Sequence, residues 1–365
     1  MYKIYCDGEL MCDPRIPELA IQSPVVTLDD GCGTLSFILP LDHPRHGKVK
    51  RLASIVEVYL DNESQPLFRG ICKQAGDDFY KNRTTVCEGE LTYLNDSIQR
   101  QAKYTQQTLK QLITKYLIKH NEQVDEYKQF KLGTIDFDEE TMLERFTNYQ
   151  STMKELQEDV LDNFGGAFYI TRSNGYNYFN YTRHAIRTSS QVVKLGVNLL
   201  DYKSNIDDTN LITQLIPLGA RQEQQEVEGL ESYLTVKSVN DGSDLISSSE
   251  AVASFGKITG MKRWDGIKTA SNLLKVGKTY LQDNQFENVY IECKVADLGR
   301  IYPKEYKRFR IFDSVHVVSA FHGMDRHFTV TKMVMNLNEP QRDTITLGKN
   351  TKLPLSKQLA KIRRS

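Results

Sequence analysis

Asp207-Asp208-Thr209-Asn210-Leu211-Ile212-Thr213-Gln214-Leu215-Ile216-Pro217-Leu218-Gly219-Ala220 is the phrase from which the rest of the chain is best read. Two acids and an asparagine open it, a composition suited to a turn. Leu211, Thr213 and Leu215 then alternate with Ile212, Gln214 and Ile216, so each face carries one polar side chain. β-branched residues between turn formers predict a strand over 211–216. Pro217 lacks an N–H and is expected to end regular pairing. Gly219 is expected to relax the backbone at the exit.

Outward from this phrase the pattern changes four times. Residues 1–94 read as antiparallel β, with candidate strands at 1–6, 34–39, 54–60, 66–72 and 84–94 and an Asp7-Gly8 turn. Residues 95–185 read as an α+β insertion. Leu109, Leu112, Ile113, Tyr116 and Leu117 mark one amphipathic helix. Thr152 with Glu155 opens a second as a capping box, and Gly165 closes it. Asn174-Gly175 turns a hairpin between 167–171 and 176–181. Residues 121–147 are acidic and read as loop. Residues 186–240 with 286–348 read as a second β block holding the opening phrase. Residues 232–239 are a candidate strand there, and 222–228 a polar loop. Residues 241–285 read as a helical insertion, with Ser247 and Glu250 as a capping box and Gly256 as a stop. Residues 349–365 form a basic tail, read as a solvated helix or linker with Leu355, Leu359 and Ile362 as its apolar stripe. The segments 54–72 and 314–333 are loosely alike, a hint of duplication.

Composition narrows the function. Lys plus Arg and Asp plus Glu number 47 each, so no global field gathers nucleic acid or anionic membrane. No apolar run approaches the ~18 residues of a membrane span, and 1–8 lack the apolar core of a signal peptide. The six cysteines (6, 12, 32, 72, 87 and 293) contain no C-x-x-C pair and are expected to be reduced thiols. Val276-Gly277-Lys278-Thr279 lacks the earlier glycine of a phosphate loop, since Asn272 stands there. His43 and His46 near Cys32, and His316, His322 and His327, lack metal-motif spacing. Asp77-Asp78 and Asp207-Asp208 read as turn acids. No catalytic, cofactor-binding or metal-binding residue is assigned, and no cofactor is expected.

The opening phrase resembles the Ile-Thr-x-Leu-x-Pro-Leu-Gly signature of phage tail-associated lysin N-terminal domains, the prophage endopeptidase tail family. Met153-Lys154-Glu155-Leu156 through Phe164-Gly165-Gly166-Ala167-Phe168-Tyr169 resembles that family's helix and hairpin. Ile345-Thr346-Leu347-Gly348 resembles its closing strand. The resemblance implies a mainly β fold with α+β insertions, like the baseplate hub of contractile-tailed phages: two related antiparallel β-barrels and two smaller α/β domains. It further implies a homotrimer at the virion tail tip, made in the host cytoplasm. That trimer would join a hexamer of distal tail protein and leave or close an axial channel for tape measure protein and DNA. Lytic activity in that family lies in C-terminal extensions, and no H-E-x-x-H or G-x-S-x-G occurs here. The rival readings are a cell-wall endopeptidase with a site assembled from distant residues, and a carbohydrate-binding β module.

Overall fold

A computed structural model describes residues 1–348 apart from 30, 62, 138–139, 208–210, 224–229, 286–287 and 320–323. The expected turn at 208–210, most of the polar loop at 222–228, His322 and the tail 349–365 therefore lie outside the described residues. The chain is mainly β: a long, curled, largely antiparallel sheet with few helices.

Period-2 patterning builds the first block. Across its part of the sheet the order is Gln22–Leu28, Thr34–Leu39, Arg83–Gly89, Phe68–Asp77, Ile55–Leu60, Tyr2–Cys6 and Glu9–Cys12, every pair antiparallel. In Ile55–Leu60 burial alternates strictly, so Val56, Val58 and Leu60 face the core and Ile55, Glu57 and Tyr59 face outward. Each fully buried valine contributes roughly 1.5–3 kcal/mol. The sequence predicts a strand over 84–94. The strand ends at Gly89, and 3₁₀ turns run over Glu90–Asp96.

The second block runs Leu199–Asp207, Asn288–Val295, Thr344–Leu347, Met324–Asn336, Asp313–Ser319 and Arg187–Lys194. Only its last pair is parallel. Its two ends meet at a bridge between Leu195 and Leu199. The blocks fuse into one 13-stranded sheet because Met324–Asn336 is long enough to pair with three strands. Its first half pairs with Asp313–Ser319, and its last residues pair with Gln22–Leu28, Met333 against Leu28 through Asn336 against Val25. Each block has its own apolar core, and Leu28 and Met335 touch both.

A third core joins the segments that the sequence assigns to two insertions. Tyr116, Phe130, Leu156, Phe168 and Phe179 pack in one cluster with Leu215, Trp264, Ile267, Leu273 and Val276. Trp264 donates its indole N–H to the Asn163 carbonyl at 3.2 Å, and the Glu144 N–H reaches the Gly266 carbonyl at 2.9 Å.

The opening phrase belongs to this third core and is not paired in the second β block as expected. Its strand is Gln214–Leu218, set between Ile246–Ser247 and Thr259–Arg263. Pro217 sits inside the strand. Antiparallel pairing with Ile246–Ser247 covers only Gln214 and Leu215, so no ladder N–H is needed at 217 on that side. Gly219 serves close approach. An added Cβ would stand 2.7 Å from the Ile267 carbonyl oxygen and 2.9 Å from a Leu234 methyl.

Several local expectations shift. Residues 121–147 hold the strands Phe130–Ile135 and Leu143–Thr147, which propensity alone does not reveal. The second helix is capped by Ser151, whose hydroxyl accepts from the Lys154 N–H, and not by Thr152. Glu155 turns inward and accepts from the Asn148 N–H at 3.3 Å. A π-helical turn, Gln157–Leu161, follows. Ser248, one residue after Ser247, caps Ser249–Phe255. Only Ser232–Tyr233 of the expected 232–239 strand is extended in pairing, and Lys237–Val239 is a 3₁₀ turn. The first helix, Leu109–Asn121, and the Asn174-Gly175 hairpin fall where the sequence puts them. Thr108 and Gln111 supply the helix's capping box, and both turn residues have positive φ, 49° and 79°.

Candidate functional site

The two β blocks and the hairpin of the third core converge on a cavity of about 500 Å³. Its walls are apolar where strand faces meet: Phe68, Phe168, Phe309, Phe312, Met333 and Leu337. Charged groups surround them. Arg69 donates to Glu57 at 2.8 Å and to Glu90. The same Glu90 oxygen accepts from Arg172 and from the Asn177 amide, both at 3.1 Å. Glu90 and Arg69 are largely buried, so this network fastens the first block to the Ala167–Ser173/Tyr176–Thr182 hairpin through paired charges. Asp297 also lines the cavity and accepts at 2.6 Å from the fully buried Gln191, which donates as well to the Lys307 carbonyl at 2.7 Å. Burial pushes the Asp343 carboxyl up to about 6, against the opposing pull of the Asn336 N–H and Arg300. Asp297 is raised for the same reason.

The residues that the sequence singles out for chemistry are dispersed. His43 is buried, its Nε2 3.1 Å from the Met11 carbonyl and its Nδ1 accepting from the Arg45 N–H, and burial pushes its pKa down. His46 sets Nε2 2.7 Å from the Lys81 carbonyl. His316 and His327 face each other across two strands with rings stacked 4.8 Å apart, and His316 lies 2.6 Å from Asp325. Among the described residues no three His, Cys, Asp or Glu side chains form a metal-holding group. Gly277 lies within the helix Ala270–Asn284 and packs against Pro217 and Ile246, so the Val276–Thr279 phrase is a helix contact. All six cysteines are unpaired thiols, five buried and Cys32 half-buried.

Two groupings escape sequence reading because their members are far apart. Ser97 Oγ lies 2.7 Å from His120 Nδ1, the distance of a nucleophile and its base. Both are sealed from solvent, and the other imidazole nitrogen faces the Lys128 carbonyl, so the pair bonds core elements together. Asp159, on the π-helical turn, accepts from the Tyr116 hydroxyl at 2.5 Å and pairs with Arg145 Nε at 3.1 Å. Burial pushes Asp159 up, and it pushes the adjacent Glu155 up to about 7.

Large apolar side chains reach solvent in separate places: Phe79 and Tyr80 at the Phe68–Asp77/Arg83–Gly89 hairpin tip, Phe146 and Tyr149 on and after the strand Leu143–Thr147, and Val197 and Leu200 where the ends of the second block meet.

Residues 187–358 match the family model described as prophage endopeptidase tail. The chain is thus similar to that family over a little under half of its length. Its fold extends over whole solved relatives. The 43 kDa tail protein of prophage MuSo2 from Shewanella oneidensis superposes with a TM-score of 0.62 at 12% identity, over 95% of this chain and 97% of that one. Prophage tail protein gp18 from Listeria monocytogenes EGD-e gives 0.61 at 15%, over 100% and 99%. A type VI secretion system component from E. coli, described as structurally similar to the T4 bacteriophage tail proteins gp27 and gp5, gives 0.51 at 8%, over 95% and 76%. At these identities the likeness is one of fold. No curated protein matches the chain in sequence. Among the described residues, no helix is long and apolar enough to cross a membrane.

Proposed function

We propose that this chain is a structural hub of the tail tip and not an enzyme. One observation carries the reading: two β blocks, each with its own core, lie side by side in one sheet and are joined through a single strand pair. If each block acts as a barrel, a homotrimer presents six of them. A pseudo-six-fold ring of that kind suits a hexamer of distal tail protein, because each ring subunit meets an equivalent partner. The channel along the axis passes tape measure protein and DNA without reading sequence. The divergence between 54–72 and 314–333 suits blocks equivalent in shape only. The third core, drawn mainly from 90–182 and 211–285, is fastened to the first block through the Arg69–Glu90–Arg172 network. The hub-like fold of the solved relatives supports this reading.

Cryo-electron microscopy of the assembled tail tip tests it. Three copies with both blocks around one channel are expected. A dimer, or a ring that uses one block only, refutes it. Release of fragments from purified peptidoglycan by the isolated chain refutes the non-enzymatic part.

A further inference from the structure

Cys72 and Cys87 stand directly opposite each other on the neighbouring strands Phe68–Asp77 and Arg83–Gly89. The Cys72 N–H goes to the Ser54 carbonyl at 3.0 Å, and the Cys72 carbonyl accepts the Leu52 N–H at 2.7 Å. Both backbone groups of Cys72 therefore point away from Cys87, and the two residues form a non-hydrogen-bonded cross-strand pair. In such a pair the Cα atoms approach to about 4.5 Å, within the ~4.4–6.8 Å that a disulfide spans. Both side chains are fully buried in the first block's core. Their thiols are hydrogen-bonded to each other. That bond favours the Cys72 thiolate and pulls its pKa down, and the same bond, with burial, pushes Cys87 up. Cys72 is thus the more nucleophilic sulfur of the two.

Among the described residues no other two cysteines are partners in the sheet. Cys12 stands opposite Ile4, not Cys6. Cys6 is separated from Phe68–Asp77 by the intervening strand Ile55–Leu60, a gap of about 10 Å at the usual strand spacing. Burial also pushes the Cys6 thiol up to about 11, which keeps it protonated and slow to oxidise. Cys293 belongs to the second block's core, and Cys32 packs against the third. The pair is buried but close to a surface. Ser54, whose carbonyl takes the Cys72 N–H, lines a hollow of about 390 Å³ with Cys6, Asp7 and Met11. That hollow brings a small oxidant to the residue bonded to Cys72.

We propose that Cys72 and Cys87 are an oxidisable dithiol, a modification site at which a peroxide closes a cross-strand disulfide and fastens the first block. The Cys72 sulfur attacks one peroxide oxygen, the O–O bond breaks, and water leaves with the thiol proton, giving a sulfenic acid. The Cys87 sulfur then attacks the Cys72 sulfur. The S–S bond forms, the S–O bond breaks, and the Cys87 proton leaves in a second water. Two thiols lose two electrons and one hydrogen peroxide gains them. A reducing dithiol reverses the step by exchange. The inference is independent of the hub reading.

The test uses the full chain, reduced with dithiothreitol and desalted. The folded protein is exposed to hydrogen peroxide, quenched with catalase, alkylated in denaturant and cut with trypsin without reductant. Mass spectrometry is expected to find peptide 70–73 joined to peptide 84–100, with the link lost on reduction and Cys6 and Cys293 alkylated. The urea midpoint, followed by circular dichroism, is expected to rise with the link and to fall back on adding dithiothreitol. The corresponding gain in the ratio of folded to unfolded chain is about 100-fold for a loop of this length. Cys87→Ala is expected to give neither link nor rise, and Cys6→Ala to keep both. The mapping of the wild type stands without any variant, so it decides the matter even where a variant fails to fold. Recovery of Cys72 and Cys87 as alkylated thiols overturns the proposal. So does a sulfinic acid at Cys72 without a link, or a link from either residue to another cysteine. A 72–87 link that leaves the urea midpoint unmoved overturns the fastening role.

Discussion

Replacing Gly219 by alanine is expected to destabilise the third core by about 1–3 kcal/mol. Gly219 is not among the glycines with positive φ, so alanine meets no backbone strain there. Lower entropy of the unfolded chain would alone stabilise by about 0.4–1 kcal/mol. The new Cβ, however, would lie 2.7 Å from the Ile267 oxygen, 2.9 Å from Leu234 Cδ2 and 3.1 Å from Leu234 Cβ. A carbon-to-oxygen contact wants about 3.3 Å, so the turn at 264–267 must retreat by roughly half an ångström. That same oxygen accepts the Ala220 N–H at 2.8 Å, and the retreat stretches this bond toward the limit of a useful one. Losing it costs about 1 kcal/mol. Urea unfolding followed by fluorescence reports the right unit, because Trp264 is the chain's single tryptophan, is fully buried, and donates its backbone N–H to the Leu218 carbonyl at 2.8 Å. Gly242→Ala is the control. It has φ 78° and open space, and tests the left-handed penalty of about 1–2 kcal/mol without a clash. An unchanged or raised urea midpoint for Gly219→Ala refutes close approach as the reason for this glycine.

Glu155 is raised in the folded state to about 7 from 4.5, so its stabilising contribution is complete below about pH 4.5 and is lost as pH rises to about 7. Glu155→Gln is therefore expected to raise stability at pH 8 and change little at pH 4, and equal effects at both, read by urea unfolding, refute the shift. Arg69→Ala leaves Glu90 and Glu57 with only Arg172 and Asn177 and is expected to cost about 3 kcal/mol in denaturant unfolding; a cost near zero refutes a structural role for the network. Thiol titration in denaturant is expected to count all six cysteines, with Cys32 reacting first in the native protein, and any shortfall in the denatured count contradicts reduced thiols. The segment 95–185 expressed alone is expected to bind a hydrophobic dye, because Trp264, Ile267 and Val276 no longer cover its core; a compact monomer that binds no dye shows instead that it is separable.

Local structure was legible wherever it depends on a few neighbouring residues. Strand patterning placed strands at Tyr2–Cys6, Thr34–Leu39 and Ile55–Leu60, Asn174-Gly175 placed a hairpin, and the apolar stripe placed Leu109–Asn121. These signals are written in backbone geometry and side-chain period, which act over a turn or a few strand residues. The phrase at 207–220 shows where that reach ends. Its residues specify a strand, but period-2 patterning is the same for any sheet, so it could not say which strands would flank Gln214–Leu218. That was decided by Thr259–Arg263, Ile246–Ser247 and the helix Ala270–Asn284 burying Leu215 against Trp264. The groups at the candidate site depend on the same long-range choice. Glu90 and Arg172 stand 82 residues apart, and Ser97 and His120 stand 23 apart. No spacing rule connects them, because their distances come from how separate elements share cores. Gly219 is the limiting case: its place in the phrase was visible, but the reason only glycine fits there is the Ile267 carbonyl, brought against it by the fold.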